Sequence, residues 1–150
     1  MLAPLDAEAA RAVLAGEGPA AARGWPGPEA LQVLTWAVEH GGDPGWLILR
    51  DGVVVGECGT HGPADGAGTV EIRYGIAPPE RGQGLATEAC AALTGWLLQQ
   101  PGVLRVAAST HAAGNPGSRR VLERSGFTLD RVEGATAWYL RTRDGGTPGT

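Results

Sequence analysis

The stretch from Thr69 to Thr110 limits the possible folds more than any other part of the chain. In TVEIRYGI, Val70, Ile72, Tyr74 and Ile76 alternate with Glu71, Arg73 and Gly75, the period-two pattern of a strand with two chemically different faces. After Pro78-Pro79 a glycine-rich run leads into LATEACAALTGWLLQQ, in which Leu85, Ala89, Leu93, Trp96 and Gln100 mark one helical stripe. VLRVAAST then reads as another strand. Strand, helix and strand in that order call for a right-handed crossover, so the two strands are expected to lie parallel in one sheet. A glycine-rich loop that opens a helix also points unpaired N–H groups and the positive dipole end at an anion. Gly82 and Gly84 permit close backbone approach, Arg81 adds charge, and Thr87 offers a hydroxyl from the first turn. No Gly-Lys-Ser/Thr closes the loop and the three-glycine dinucleotide spacing is absent. A plain glycine turn that starts a helix is the competing reading.

Elements on either side follow from caps and turn residues. Asp6 caps a helix ending at Gly16, and Pro28 opens a second in which Leu31, Leu34, Thr35 and Val38 share a face before Gly41 stops it. A loop with Trp25-Pro26 joins them. WLILR and VVVGECGT read as a hairpin around Asp51-Gly52. Asn115-Pro116 starts a short helix that Gly126 ends, and FTLDR and ATAWYLR are the last strands. Residues 1–143 are expected to form one domain and 144–150, DGGTPGT, a flexible tail.

Composition narrows the partners. All 12 basic residues are arginine against 16 acidic ones, and the net charge of -4 is spread without a basic block for phosphate backbones, so nucleic acid is not expected. The absence of a cationic leader or a run near the roughly 20 apolar residues of a membrane span argues for a cytoplasmic protein with no membrane partner. Cys58 and Cys90 lack metal-site spacing and are expected to be core thiols, with no metal bound.

Arg81-Gly82-Gln83-Gly84-Leu85-Ala86 matches the Arg/Gln-x-x-Gly-x-Gly/Ala signature, and Asn115-Pro116-Gly117-Ser118 runs through Val121-Leu122-Glu123-Arg124 to Gly126-Phe127. With these two motifs in order, the chain resembles the GNAT superfamily of N-acetyltransferases, in its RimJ/RimL-like branch. Gly56-Glu57, Glu71-Ile72-x-Tyr74 and Ala86-Thr87-Glu88-Ala89 extend the similarity over most of residues 46 to 131. The resemblance implies an α/β fold: a mixed sheet with helices on both faces and splayed parallel central strands. The family's first strand is nearly absent before Asp6.

The resemblance also implies acetyl-CoA as cosubstrate and an amine, on a small molecule or a protein amino terminus, as acceptor, in a monomer or homodimer. The pyrophosphate would meet the amides of Arg81 to Thr87, and the pantetheine arm would bind near Ile76 and Asn115. Asn115 serves equally as a helix cap. Direct attack of a neutral amine on the thioester needs a base and a donor for the departing thiolate. Glu71 matches the family's strand carboxylate and is the candidate base, unless Arg73, two residues on, holds it in an ion pair. The family's usual tyrosine acid is replaced by Leu122, so Ser118 is the candidate for stabilising or protonating the thiolate, or else a first-turn serine. His111 is an alternative base or an exposed loop histidine. Trp25 is expected to wall the acceptor pocket, with Trp138 and Tyr139 opposite, and Glu57, Asp65 and Glu133 to attract a cation or remain surface charges. A GNAT-like module that binds CoA without catalysis is the alternative to an enzyme.

Overall fold

The computed structural model describes residues 1–112 and 116–143, so Asn115 and the expected tail 144–150 lie outside the described residues. The elements run β1 (Leu2–Pro4), α1 (Ala7–Leu14), α2 (Pro28–His40), β2 (Trp46–Arg50), β3 (Val53–Thr60), β4 (Thr69–Ile76), α3 (Leu85–Leu98), β5 (Arg105–His111), α4 (Pro116–Arg124), β6 (Thr128–Glu133) and β7 (Thr136–Thr142). The seven strands form one sheet in the order β1-β2-β3-β4-β5-β7-β6. Among these strands of the described residues, β4 and β5 alone pair in parallel, joined by the crossover through α3.

Local chemistry accounts for the boundaries. Asp6 accepts a 2.7 Å hydrogen bond from Ala9 N and starts α1, while Pro28 and Gly41 bound α2. Asp51 and Gly52, both at positive φ, turn the β2–β3 hairpin. The thinly populated amino terminus still makes a strand: Leu2↔Ile48, Ala3↔Leu47 and Pro4↔Trp46 add β1 to the edge of β2. Three residues are too short to stand out from sequence, and β2 supplies their template.

The two faces of the sheet can be told apart by alternation along β2 and β3. Leu47 and Val54 pack with Leu5, Ala10, Val13 and Leu34 under α1 and α2. Their neighbours Ile48 and Val55 turn to the other face, into the larger core of α3, α4, β4, β5 and β7. Of the face expected for α2, Leu34 is buried and Val38 packs partly buried against the same cluster, while Leu31 and Thr35 are exposed and Ala30 and Ala37 are buried in their place. α2 packs on α1, with Leu34 joining Ala10 and Val13 of α1 in one cluster. α3 likewise buries Ala89, Cys90, Leu93, Thr94, Leu97 and Leu98 while Trp96 is exposed. Its sequence is apolar nearly all round, so contact with both sheet and α4 chooses the face. Cys58 and Cys90 are free and buried in this core.

Candidate active site

β4 and β5 share three rungs, Thr69↔Arg105, Val70↔Val106 and Glu71↔Ala107. Beyond them β4 stays paired with β3 as far as Ile76↔Gly56, and β5 with β7 as far as His111↔Thr136. The sheet therefore parts after Glu71 into a V between residues 72–76 and 108–111. Peptide groups on its inner edges lack a strand partner, and an extended ligand with amides of its own can stand in for the missing strand.

The open end of the V leads to the glycine loop. Gly84, at φ 81, begins α3 in the left-handed region that a Cβ disfavours. Of the amides expected from Arg81 to Thr87, Arg81 N donates to Pro78 O at 3.4 Å, while those from Gly82 to Thr87 find no acceptor among the described residues, so they and the helix dipole remain for an anion. The loop is braced from below: Arg50 donates to the Gln83 side-chain carbonyl and pairs with Glu80 at 2.7 Å. Arg81 Nε donates to the Ile76 carbonyl at 3.0 Å, tying the loop to the end of β4 and using one lone pair of an oxygen expected to serve the ligand. Leu85 and Ala86 pack against the core, and Thr87 O accepts from Ser125 Oγ at 3.4 Å. On the α3/α4 face of the V, Tyr74 brings its hydroxyl to 2.9 Å from Ser118 Oγ. Burial raises the Tyr74 pKa and the Ser118 bond only partly opposes this, so the phenol stays protonated.

A family profile described as acetyltransferase (GNAT) domain matches residues 1–128. The chain belongs to the GNAT acetyltransferase family. No curated protein matches it in sequence. The aminoglycoside acetyltransferase AAC(6')-Ib, solved with coenzyme A and kanamycin, superposes with TM-score 0.70 at 16% identity, over 97% of this chain and 95% of that one. A spermidine N-acetyltransferase SpeG chimera from Vibrio cholerae and hSSAT gives TM-score 0.69 at 12% identity, over 96% of each chain. A GNAT acetyltransferase from Bacillus anthracis gives 0.57 at 20% identity, with 67% of this chain spanning 65% of that one. As a GNAT domain the protein is an acyltransferase that uses acetyl-CoA, and the splayed strands and free amide loop fit that cosubstrate.

The opposite face of the GNAT sheet carries the acidic groups. Register puts Glu57 opposite Gly75, on one face with Arg73 and Glu71, and across the V with Ser109 and His111. The α1–α2 loop is fastened beside it: Ala22 N donates to Val54 O at 2.8 Å and Val54 N to Ala20 O at 2.9 Å. From that loop Trp25 donates its indole N–H to Glu57 Oε2. Glu57 is 8% exposed, and burial raises its pKa against the opposing pull of the Trp25 bond and of Arg73.

The expected Glu71–Arg73 ion pair does not form. The β3–β4 register places His61 beside Glu71, Nε2 to Oε2 3.6 Å, while glycines at 45 and 59 make room for Arg73, which donates to Pro44 O at 3.0 Å. His111 is exposed at the end of β5. Trp138 lies on the Glu71 face with Arg131 5.2 Å over its ring. Tyr139 does not join it: it points into the α3/α4 core, 3% exposed, because neighbours on a strand face opposite ways. Asp65 accepts from Ala67 N and Thr69 N in its own turn, and Glu133 pairs with Arg131 at 2.5 Å, so neither reaches the V through these contacts. Sequence reasoning missed the Arg50–Glu80 brace and the Tyr74–Ser118 pair, both of which depend on distant contacts. Glu57, expected to attract a cation or remain a surface charge, is buried, and its place within the apolar run VVVGECGT was the signal for that.

Proposed function

We propose that the protein is an N-acetyltransferase of the RimJ/RimL-like branch that moves acetyl from acetyl-CoA to an amine by direct attack in a ternary complex. The observation that carries this reading is the V that opens after Glu71, with amide donors at one end and carboxylates along one face. The amides from Gly82 to Thr87 hold the pyrophosphate, the edges of the V hold the pantetheine arm, and Asn115 adds a contact to that arm. The acceptor approaches from the face of Trp25, Glu71 and His111. Kanamycin and spermidine, named with the structural relatives, are polycationic amines, and an acidic face suits that class. We place the protein in the cytoplasm as a monomer or homodimer, and no helix among the described residues is long and apolar enough to cross a membrane.

Ser118 hydrogen-bonds the nascent thiolate, and Tyr74 behind it supplies the hydroxyl that Leu122 denies at the family's usual tyrosine position. This pair favours an active enzyme over a module that only binds CoA. Calorimetry with acetyl-CoA, followed by thiol release with polyamines, aminoglycosides and peptide amino termini, tests the proposal. CoA binding with turnover on one amine class is the expected result. Binding without turnover on any of them would return the protein to the module reading. Ser118→Ala should lower kcat on the order of a hundredfold while acetyl-CoA binding is kept.

A further inference from the structure

Glu57 has the features of a prepared proton acceptor. It arises from the middle of β3, among Val55, Cys58 and other buried residues, where an idle carboxylate would be costly. One oxygen, Oε2, is held by the Trp25 indole N–H, which sets the orientation of the carboxylate. The other, Oε1, has no hydrogen-bond partner among the described residues and is not wholly enclosed. It lies over Gly75: a Cβ there would stand 3.0 Å from Oε1. Gly75 belongs to the part of β4 that has lost β5, so the free oxygen overlies the strand that borders the V.

The charged surroundings leave that oxygen available. Arg73 on β4 is turned to the Pro44 carbonyl and makes no ion pair with Glu57 within 4 Å. Glu29, in the first turn of α2, is the other charge acting on it and opposes ionisation, as burial does. Glu71, by contrast, sits on the last closed rung of β4 and β5 beside His61.

We propose that Glu57, oriented by Trp25, is the group that receives the acceptor amine and takes its proton. The inference rests on the acetyl-transfer reading and moves the base from β4 to β3. An acceptor ammonium gives one proton to Glu57 Oε1. The freed nitrogen lone pair forms the bond to the thioester carbonyl carbon, and the carbon–sulfur bond breaks with its electron pair on sulfur. The second proton shed by nitrogen neutralises the thiolate, and the proton on Glu57 passes to solvent. The products are the N-acetyl amine, CoA and one proton. Acceptors are thus amines that arrive charged.

The test compares wild type and Glu57→Gln for acetyl-CoA binding and for kcat and kcat/KM as functions of pH on an amine the wild type acetylates. Glutamine keeps an acceptor for the indole but cannot take the proton. The expected result is CoA affinity within about twofold of wild type and kcat lower by on the order of a hundredfold or more. The acidic limb, where activity is lost as pH falls through the raised Glu57 pKa, should vanish from the residual rate. If Glu57→Gln does not fold, Glu57→Asp replaces it, with the expectation of a reduced rate and a retained limb. A Glu57→Gln rate within about threefold of wild type, or a residual rate with the limb unchanged, overturns the assignment. Loss of rate and limb together in Glu57→Asp overturns it as well. A wild type that binds acetyl-CoA but acetylates no amine overturns the acetyl-transfer reading itself, and this inference with it.

Discussion

The two faces of the central sheet solve opposite problems. Under α3 and α4 the strands present Val70, Ile72, Val106 and Ala108 to Leu93, Leu97 and Leu122, all at or below 6% exposure. Under α1 and α2 an apolar cluster covers β1, β2 and the start of β3, and beyond Val54 that face carries polar groups: Glu57, Glu71, Arg73, Ser109 and His111. The first face is held by area removed from water and depends on packing. The second carries a buried carboxylate that packing alone would not select. A single strand serves both, since alternate residues of β4 belong to different faces. One side of the fold is therefore free to carry groups that cost stability because the other side supplies it.

Three substitutions probe that division. Leu93→Ala, in the centre of the apolar face, should cost about 3 kcal/mol in denaturant unfolding. Acetyl-CoA affinity of the fraction still folded should stay within a few-fold; a selective loss of cosubstrate binding with little destabilisation would break the comparison. Gly75→Ala acts from the polar face. Its new methyl meets Glu57 Oε1 at 3.0 Å, and the Trp25 bond limits how far the carboxylate can retreat. Single-turnover acetylation should slow by on the order of a hundredfold. The smallest effect belongs to Gly84→Ala. Nothing lies within 4 Å of the added methyl, so the cost is the left-handed backbone, about 1 kcal/mol, seen in stability and in a weaker calorimetric Kd for acetyl-CoA.

Glu57→Gln also joins the two faces through pH. Its carboxyl is raised above the ordinary 4.5 in the folded state. The stability its protonated form contributes is present below that value and is lost as pH rises through the raised pKa. In thermal melts the variant should therefore gain on the wild type as pH rises across that window, while it loses rate.

Much of this was legible before any tertiary contact was known. The β2–β3 hairpin, β4 and the start of α2 fall where Asp51-Gly52, strict alternation and Pro28 put them, because a turn, a strand period and a first-turn proline act through neighbours in the chain. The glycine loop and parallel crossover were legible for the same reason. Buried faces were less so. In α2 and α3 more residues are apolar than one face can hide, and the choice between Leu31 and Ala30, or Trp96 and Leu97, waited for the partner surface. Tyr139 reads like Trp138 until β5 pairs with β7 and sends them to opposite sides.

By itself, then, the sequence determined the order of elements from α1 onward, the parallel crossover, the anion-ready loop and the family, since all of these rest on local periodicity, turn chemistry and short motifs, whereas β1 needed β2 as its template. Tertiary structure alone decided where β4 and β5 part, that His61 rather than Arg73 stands by Glu71, that Tyr74 meets Ser118, and that Trp25 holds Glu57 over Gly75. Those contacts join residues 10 to 44 positions apart, and their geometry comes from strand register and helix packing, which no local run of residues encodes.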